Sequence, residues 1–390
     1  MDSGTLAGLP NELIIQILDS DPTSSQVARS LAGSCRRFHA FATPFLFRDV
    51  RLHSYDSAMM FFSVVFSQPS RAEYVRSLTM PLGRGFAQNT PDTNSSHFIN
   101  DRWGLNWAIS QSLKRMLNLE HLTFNYHIVD AVDYHNILER HTFPCLTSCE
   151  LDVPGRFNKT IHDYDLLASF WARHPTLTRV FCPDFMRVLR PSLRISMPNL
   201  RYLEASPNLV PLLDSCALRE IHAVWYPWQA SASHIETVML AMQSMTTNDI
   251  PFVASHDFFN LDACCAIVDS VSRNLPSTRV LRMRRIGQYN ELQPLDNTMI
   301  SPVTEYLSKF SDLMYFGIEN RYRVMLGRPT RSTDYKLVEA WGNACPTLVA
   351  CCLNSLAWVK LEGEWNIAPL DRFYDLVDAM HMEIRTPVET

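Results

Sequence analysis

The chain has 390 residues, of which 46% are hydrophobic and 19% charged, and carries a formal net charge of −5 at pH 7. That is a globular composition with ample core material, and the length suits two or three domains or one long repeat array. The negative balance argues against a dedicated nucleic-acid binder. The longest apolar run, Ala58 to Phe66, falls far short of the ~20 residues that span a bilayer. The first twenty residues begin polar and turn amphipathic, unlike a signal peptide, so the expected compartment is the cytoplasm or nucleus. Ten cysteines without disulfide-framework spacing then read as reduced and mostly buried.

The first elements lie between Leu9 and Val50. Pro10 suits the first turn of a helix, where its missing N–H costs nothing. Leu13, Ile14, Ile17 and Leu18 behind it form one apolar stripe, ended by Asp21 and Pro22. Ser24 or Ser25 caps a second helix with Val27 and Leu31 on its stripe. After Gly33 and Ser34, a third helix carries Cys35, Phe38 and Ala42, with Pro44 expected to stop it before Phe45, Leu46 and Phe47. Three helices of this size make no self-sufficient core. Their apolar side chains either cap a larger domain or require a partner surface.

Ser54 to Gln68 then reads as a buried helix. From there one pattern recurs, an apolar residue at positions 4 and 6 and, in all copies but the one that opens on Thr278, at position 1. It occurs at Val75–Met80, Leu119–Phe124, Leu146–Leu151, Leu177–Cys182, Leu200–Ala205, Leu218–Ala223, Thr278–Met283, Leu313–Ile318 and Leu348–Leu353, with a degraded copy expected at Ile250–Ser255. The alternation closing each unit is a strand signal. Helical patterns fill the intervals: Leu105–Leu117, Asp163–Arg173, Ser233–Met245, Leu261–Arg273, Val303–Phe310 and Tyr335–Asn343. Strand and helix thus alternate every 18 to 35 residues or so, the spacing of repeat proteins.

Two resemblances follow. Leu9-Pro10-x-Glu12-Leu13, Ile17-Leu18, Leu31 with Cys35-Arg36-Arg37-Phe38, and Pro44-x-Leu46-Phe47 together resemble an F-box. The repeated units resemble a leucine-rich-repeat solenoid of the irregular kind found behind an F-box in many fungal proteins. The implied fold is α/β: a three-helix F-box over residues 5–50, then a repeat domain over 51–390 with parallel strands on a concave face and helices outside. The resemblance implies docking to the Skp-type adaptor of a cullin-RING (SCF-type) ubiquitin ligase. Leu9, Pro10, Leu13, Ile17, Leu18, Val27, Leu31, Cys35 and Phe38 would face the adaptor, and the repeat domain would hold a client protein.

In such a solenoid the pattern residues point into the core and the residues between them point to solvent on the concave side. There lie Glu150, Asp152, Tyr202, Glu204, Glu220, His222, Arg282, Arg284, Tyr315 and Glu319, mixed charges and aromatics suited to a protein or peptide. Trp225-Tyr226-Pro227-Trp228 follows a strand end. It is either a recognition hot spot or packing over the solenoid edge. The polar loop from Gly83 to Asp101 and the arginines 321, 323, 328 and 331 are further candidates.

Signals for chemistry fail one by one. Gly83-Arg84-Gly85 lacks a third glycine and a βαβ unit, and no Walker loop, HExxH or GxSxG occurs. No CxxC is present, and His121, His127, His135, His141, Cys145 and Cys149 match no metal spacing. No metal, cofactor, nucleic acid or membrane partner is expected. The expected role is a non-catalytic substrate receptor, and the alternative is a repeat scaffold that targets nothing for degradation.

Overall fold

The computed structural model describes residues 9–20, 24–80, 107–125, 139–152, 161–182, 194–214, 216–246, 251–286, 300–320, 331–353 and 356–385. Two compact units divide the chain, Met1–Leu177 and Thr178–Thr390. The first therefore holds both the N-terminal helices and the first repeated units.

The first unit opens with α1 (Asn11–Ser20), α2 (Ser24–Ala32) and α3 (Arg36–Arg48). Ile14, Leu18, Ala28, Phe38 and Ala42 are buried together, with Leu9, Val27, Leu31, Phe45 and Leu46 packed around them. Arg37 ties the first and third helices, donating to the carbonyl of Leu9 at 2.7 Å and to Asn11 Oδ1 at 2.5 Å. Pro44 lies inside α3 and does not end it. Helix packing on both sides of it, through Ala42 and Phe45, outweighs the ~3 kcal/mol that an interior proline costs.

Four parallel strands follow: β1 (Asp49–Arg51), β2 (Ser77–Met80), β3 (His121–Asn125) and β4 (Ser148–Asp152). Between them come α4 (Tyr55–Ser67) and a helical segment over 107–113, and α5 (Ile161–Ala172) closes the unit. Leu78, Leu122 and Cys149 stand in register, as do Met80, Phe124 and Leu151. All six are buried, so the fourth and sixth positions of each repeat build a continuous apolar ladder.

In the second unit the parallel strands are β5 (Arg179–Cys182), β6 (Tyr202–Ala205), β7 (Glu220–Val224), β8 (Phe252–Phe258), β9 (Thr278–Arg285), β10 (Tyr315–Asn320) and β11 (Ala350–Leu353). The fold is thus α/β with mostly parallel strands. Every repeated unit found in the sequence carries a strand, and the degraded copy at 250–255 is β8. The ladder Val180, Leu203, Ile221, Ala254, Leu281, Phe316, Cys351 is buried throughout. Connecting helices α6 (Ala232–Met245), α7 (Leu261–Asn274), α8 (Val303–Leu307) and α9 (Arg331–Ala344) fill the intervals between strands. Trp341 of α9, for example, meets Phe316 edge-on at 4.9 Å.

Two features at the end of the second unit depart from the repeat pattern. Strands β12 (Leu356–Leu361) and β13 (Glu364–Ala368) are antiparallel. The last helix, α10 (Leu370–Arg385), lies across the other face of the sheet. Its Phe373, Val377 and Met380 recur at i, i+4 and i+7 and bury against Val253, Val280, Tyr315, Ala350, Cys352, Ala357 and Val359. The expectation that this whole face is open to solvent is therefore corrected, because an amphipathic helix needs a surface and takes this one. Tyr315 is 7% and Glu319 5% exposed.

Gly342 shows how tightly α9 meets the hairpin. A Cβ there would fall 2.5 Å from Nε1 of Trp365, a buried ring. Gly342→Ala gains about 1 kcal/mol of helix propensity but overpacks by roughly 1–3 kcal/mol. The expected result in urea unfolding is net destabilisation.

Candidate functional site

The helical face comes first. On α1 the apolar residues divide by angle: Ile14 and Leu18 point into the unit, while Leu13 and Ile17 remain 45% and 47% exposed. Side chains one turn apart on a helix share a face, so Leu13 and Ile17 form one exposed row. Pro10 and Cys35 are also exposed, and Leu9, Val27 and Leu31 are half-buried at the rim. Of the nine residues expected to face an adaptor, Leu18 at 0% and Phe38 at 7% exposure are corrected to core positions. Their stripe is the one that holds the three helices together. Ile15, 43% exposed, lies on a different side of α1, in a cleft walled by Phe45, Arg48, Tyr74 and Arg76.

The second site is a row of polar side chains on the α10 face of the second unit, beyond the reach of that helix's apolar stripe. Tyr202 donates from Oη to Glu204 Oε2 at 2.9 Å. His222 places Nδ1 2.9 Å from Glu204 Oε1 and Nε2 3.1 Å from Asp257 Oδ1. Arg284 donates from Nε to Asp257 Oδ1 at 2.7 Å and also lies against the His222 ring. Parallel register produces the cluster: Glu204 stands beside His222, and Asp257 beside Arg284. Two basic side chains and two carboxylates thus meet at side-chain exposures of 23% or less.

Burial pulls the His222 pKa down, but hydrogen bonds to Asp257 and Glu204 outweigh it and the net direction is up. Burial pushes Glu204 up, and hydrogen bonds from His222 and Tyr202 together with the neighbouring positive charges bring it net down. Both ring nitrogens of His222 face carboxylates, so neither is left to take a proton from a hydroxyl, the arrangement that nucleophilic catalysis needs. His256 is the opposite case. Fully buried, it accepts from Trp225 Nε1 at 3.1 Å through Nδ1, and burial drives its pKa down to about 3.

The residues expected to hold a client are thus divided. Tyr202, Glu204, His222 and Arg284 come together. Arg282 belongs to a second network, pairing with Glu319 Oε1 at 3.0 Å under Tyr374 of α10. Glu150 is in the first unit, accepting from Thr123 Oγ1 at 3.2 Å. Trp225 as a client contact is corrected to the packing alternative: it is fully buried, and its indole N–H bonds His256 in the interior. Trp228 is 66% exposed and stacks on Tyr226 at 5.0 Å, which stacks in turn on Phe259 at 5.8 Å. Asp257, Tyr374 and Phe259 were missed by the sequence reading. Asp257 lies on β8 just past the degraded copy and was legible only through strand register.

The loop 83–101, residues 321, 323 and 328, the side chains of Asp152 and Arg331, and His127 and His135 lie outside the described residues. His141 bonds the Ser110 carbonyl through Nε2 at 2.9 Å, and Cys149 is core. Among the described residues no group of three His, Cys, Asp or Glu is placed to hold a metal ion, and no helix is long and apolar enough to cross a membrane. No family model matches the chain, and none of the curated proteins matches it significantly.

Between them the two histidines contribute a pH-dependent stability term that is greatest near pH 6.5. His222, raised in the folded state, contributes fully below its unfolded pKa of about 6.5 and loses that contribution as pH rises through its folded value. His256, depressed to about 3, contributes above about 6.5 and loses it as pH falls. In urea midpoints measured against pH, His222→Asn is expected to flatten the alkaline limb and leave the acid limb standing. An alkaline limb unchanged in that variant contradicts the assignment.

Proposed function

We propose that the chain is the substrate-recognition subunit of an SCF-type cullin-RING ubiquitin ligase. In this reading α1–α3 form an F-box that binds a Skp-type adaptor, and through it a cullin. The strand-and-helix layers form a leucine-rich-repeat-like solenoid that holds a client protein. One observation carries the reading: three helices bury a shared core yet leave Leu13 and Ile17 nearly half exposed on one face, with Pro10 and Cys35 exposed and Leu9, Val27 and Leu31 at the rim. Large apolar side chains in a row on a short helix are the kind of surface that protein partners cover.

The chain itself would break and form no bond. Its contribution would be effective concentration, holding a client lysine near the charged ubiquitin-conjugating enzyme. The compartment that fits is the cytoplasm or nucleus.

Co-purification with a Skp-type adaptor tests the reading. The wild-type chain is expected to form a complex, and Leu13→Asp with Ile17→Asp is expected to weaken it at least about a hundredfold, near 2.7 kcal/mol, without shifting the melting temperature. Absence of a complex at micromolar concentration defeats the proposal. A complex that forms but recruits no cullin supports the scaffold alternative instead.

A further inference from the structure

The β12–β13 hairpin turns through Glu362 and Gly363, both at positive φ (53° and 91°), the two-residue turn that suits the twist of antiparallel strands. Its register pairs Leu361 with Glu364, Lys360 with Trp365, Val359 with Asn366 and Trp358 with Ile367. In an antiparallel ladder, pairs that exchange backbone hydrogen bonds alternate with pairs that do not. Lys360 sends its N–H to the Val349 carbonyl at 2.8 Å, away from β13. Lys360–Trp365 and Trp358–Ile367 are therefore the pairs without mutual bonds. The N–H and C=O groups of Trp365 and Ile367 point outward, and no described strand pairs with that side of β13.

Beside this open edge lies a cleft of about 620 Å³. Tyr335, Lys336 and Glu339 of α9 form one wall, and Trp358, Trp365 and Ile367 the other. The two tryptophans are 2% and 8% exposed, while Tyr335 and Ile367 stand 36% and 45% exposed at the mouth. At the hairpin tip Glu362 and Glu364 are exposed and form no ion pair among the described residues.

We propose that the β13 edge receives an extended peptide segment of a partner protein as an added strand. Backbone groups of the peptide pair with Trp365 and Ile367. A large apolar side chain on the peptide fills the cleft, and a Lys or Arg towards the hairpin tip meets Glu362 and Glu364. Three features select this occupant. Outward N–H and C=O groups suit an extended backbone, an aromatic cleft on the same side suits an apolar side chain, and two exposed carboxylates at the tip suit a cation. A second copy fits less well. Edge-to-edge pairing would set Trp365 of each copy opposite Ile367 of the other. Trp365 is held against Gly342 in its own chain, so neither cleft would be filled. The proposal names the client surface of the repeat body and rests on that part of the functional reading, not on the adaptor.

Panning a displayed library of random short peptides against the full chain tests it. Enriched sequences are expected to alternate large apolar residues and to carry a basic residue at one end. A selected peptide is expected to slow amide exchange at Trp365 and Ile367. Proline is tolerated on an edge strand where the lost N–H faces outward. Ile367→Pro should therefore weaken peptide binding at least about tenfold while leaving the melting temperature and adaptor capture unchanged. N-methylation of alternate peptide nitrogens should do the same with the wild-type chain. The proposal is overturned by a library without consensus, by binding insensitive to both changes, or by a concentration-dependent dimer that Ile367→Pro abolishes.

Discussion

A β-sheet has two faces, and each must be covered by apolar packing or made of polar groups that satisfy one another. That constraint organises the second unit. The interior ladder from Val180 to Cys351 covers one face's needs, and α10 covers part of the other. Where the stripe of α10 ends, the sheet carries polar and charged groups instead, and Glu204, His222, Asp257 and Arg284 pair with one another across four strands. The tie between Tyr374 and Glu319 marks the seam between the two regimes.

The first unit meets the same constraint on a smaller scale. Its three opening helices are too short to surround their own apolar side chains. Ile14, Leu18 and Phe38 occupy the available interior, and Leu13 and Ile17 are left outside. The proposed adaptor surface is therefore a residue of geometry: a helix with apolar side chains on adjacent rows can turn only one row inward.

Much of this was legible in the sequence. The repeated 1-4-6 spacing located the repeat strands, because three buried positions recur wherever a strand enters the same ladder. The weak copy around Ala254 carries a strand as well. What escaped was anything decided by long-range partners. Pro44 reads locally as a stop, yet α3 runs through it because Phe45 and Leu46 have helices to pack on. Trp225 and Trp228 look alike in the chain, yet Trp225 is buried with its N–H on His256 and Trp228 stands in solvent. The stripe of α10 is visible as Phe373, Val377 and Met380, but nothing local says which face of the sheet it covers. The Glu204–His222–Asp257 grouping depends on register between strands up to 53 residues apart in the chain, Glu204 to Asp257.

Hydrogen–deuterium exchange of the full chain, alone and mixed with a Skp-type adaptor, tests most directly whether the exposed row of α1 is a docking surface. The expected result is slowed exchange confined to residues 9–35, with the second unit unchanged. Identical exchange in both samples, or slowing confined to the second unit, would contradict it.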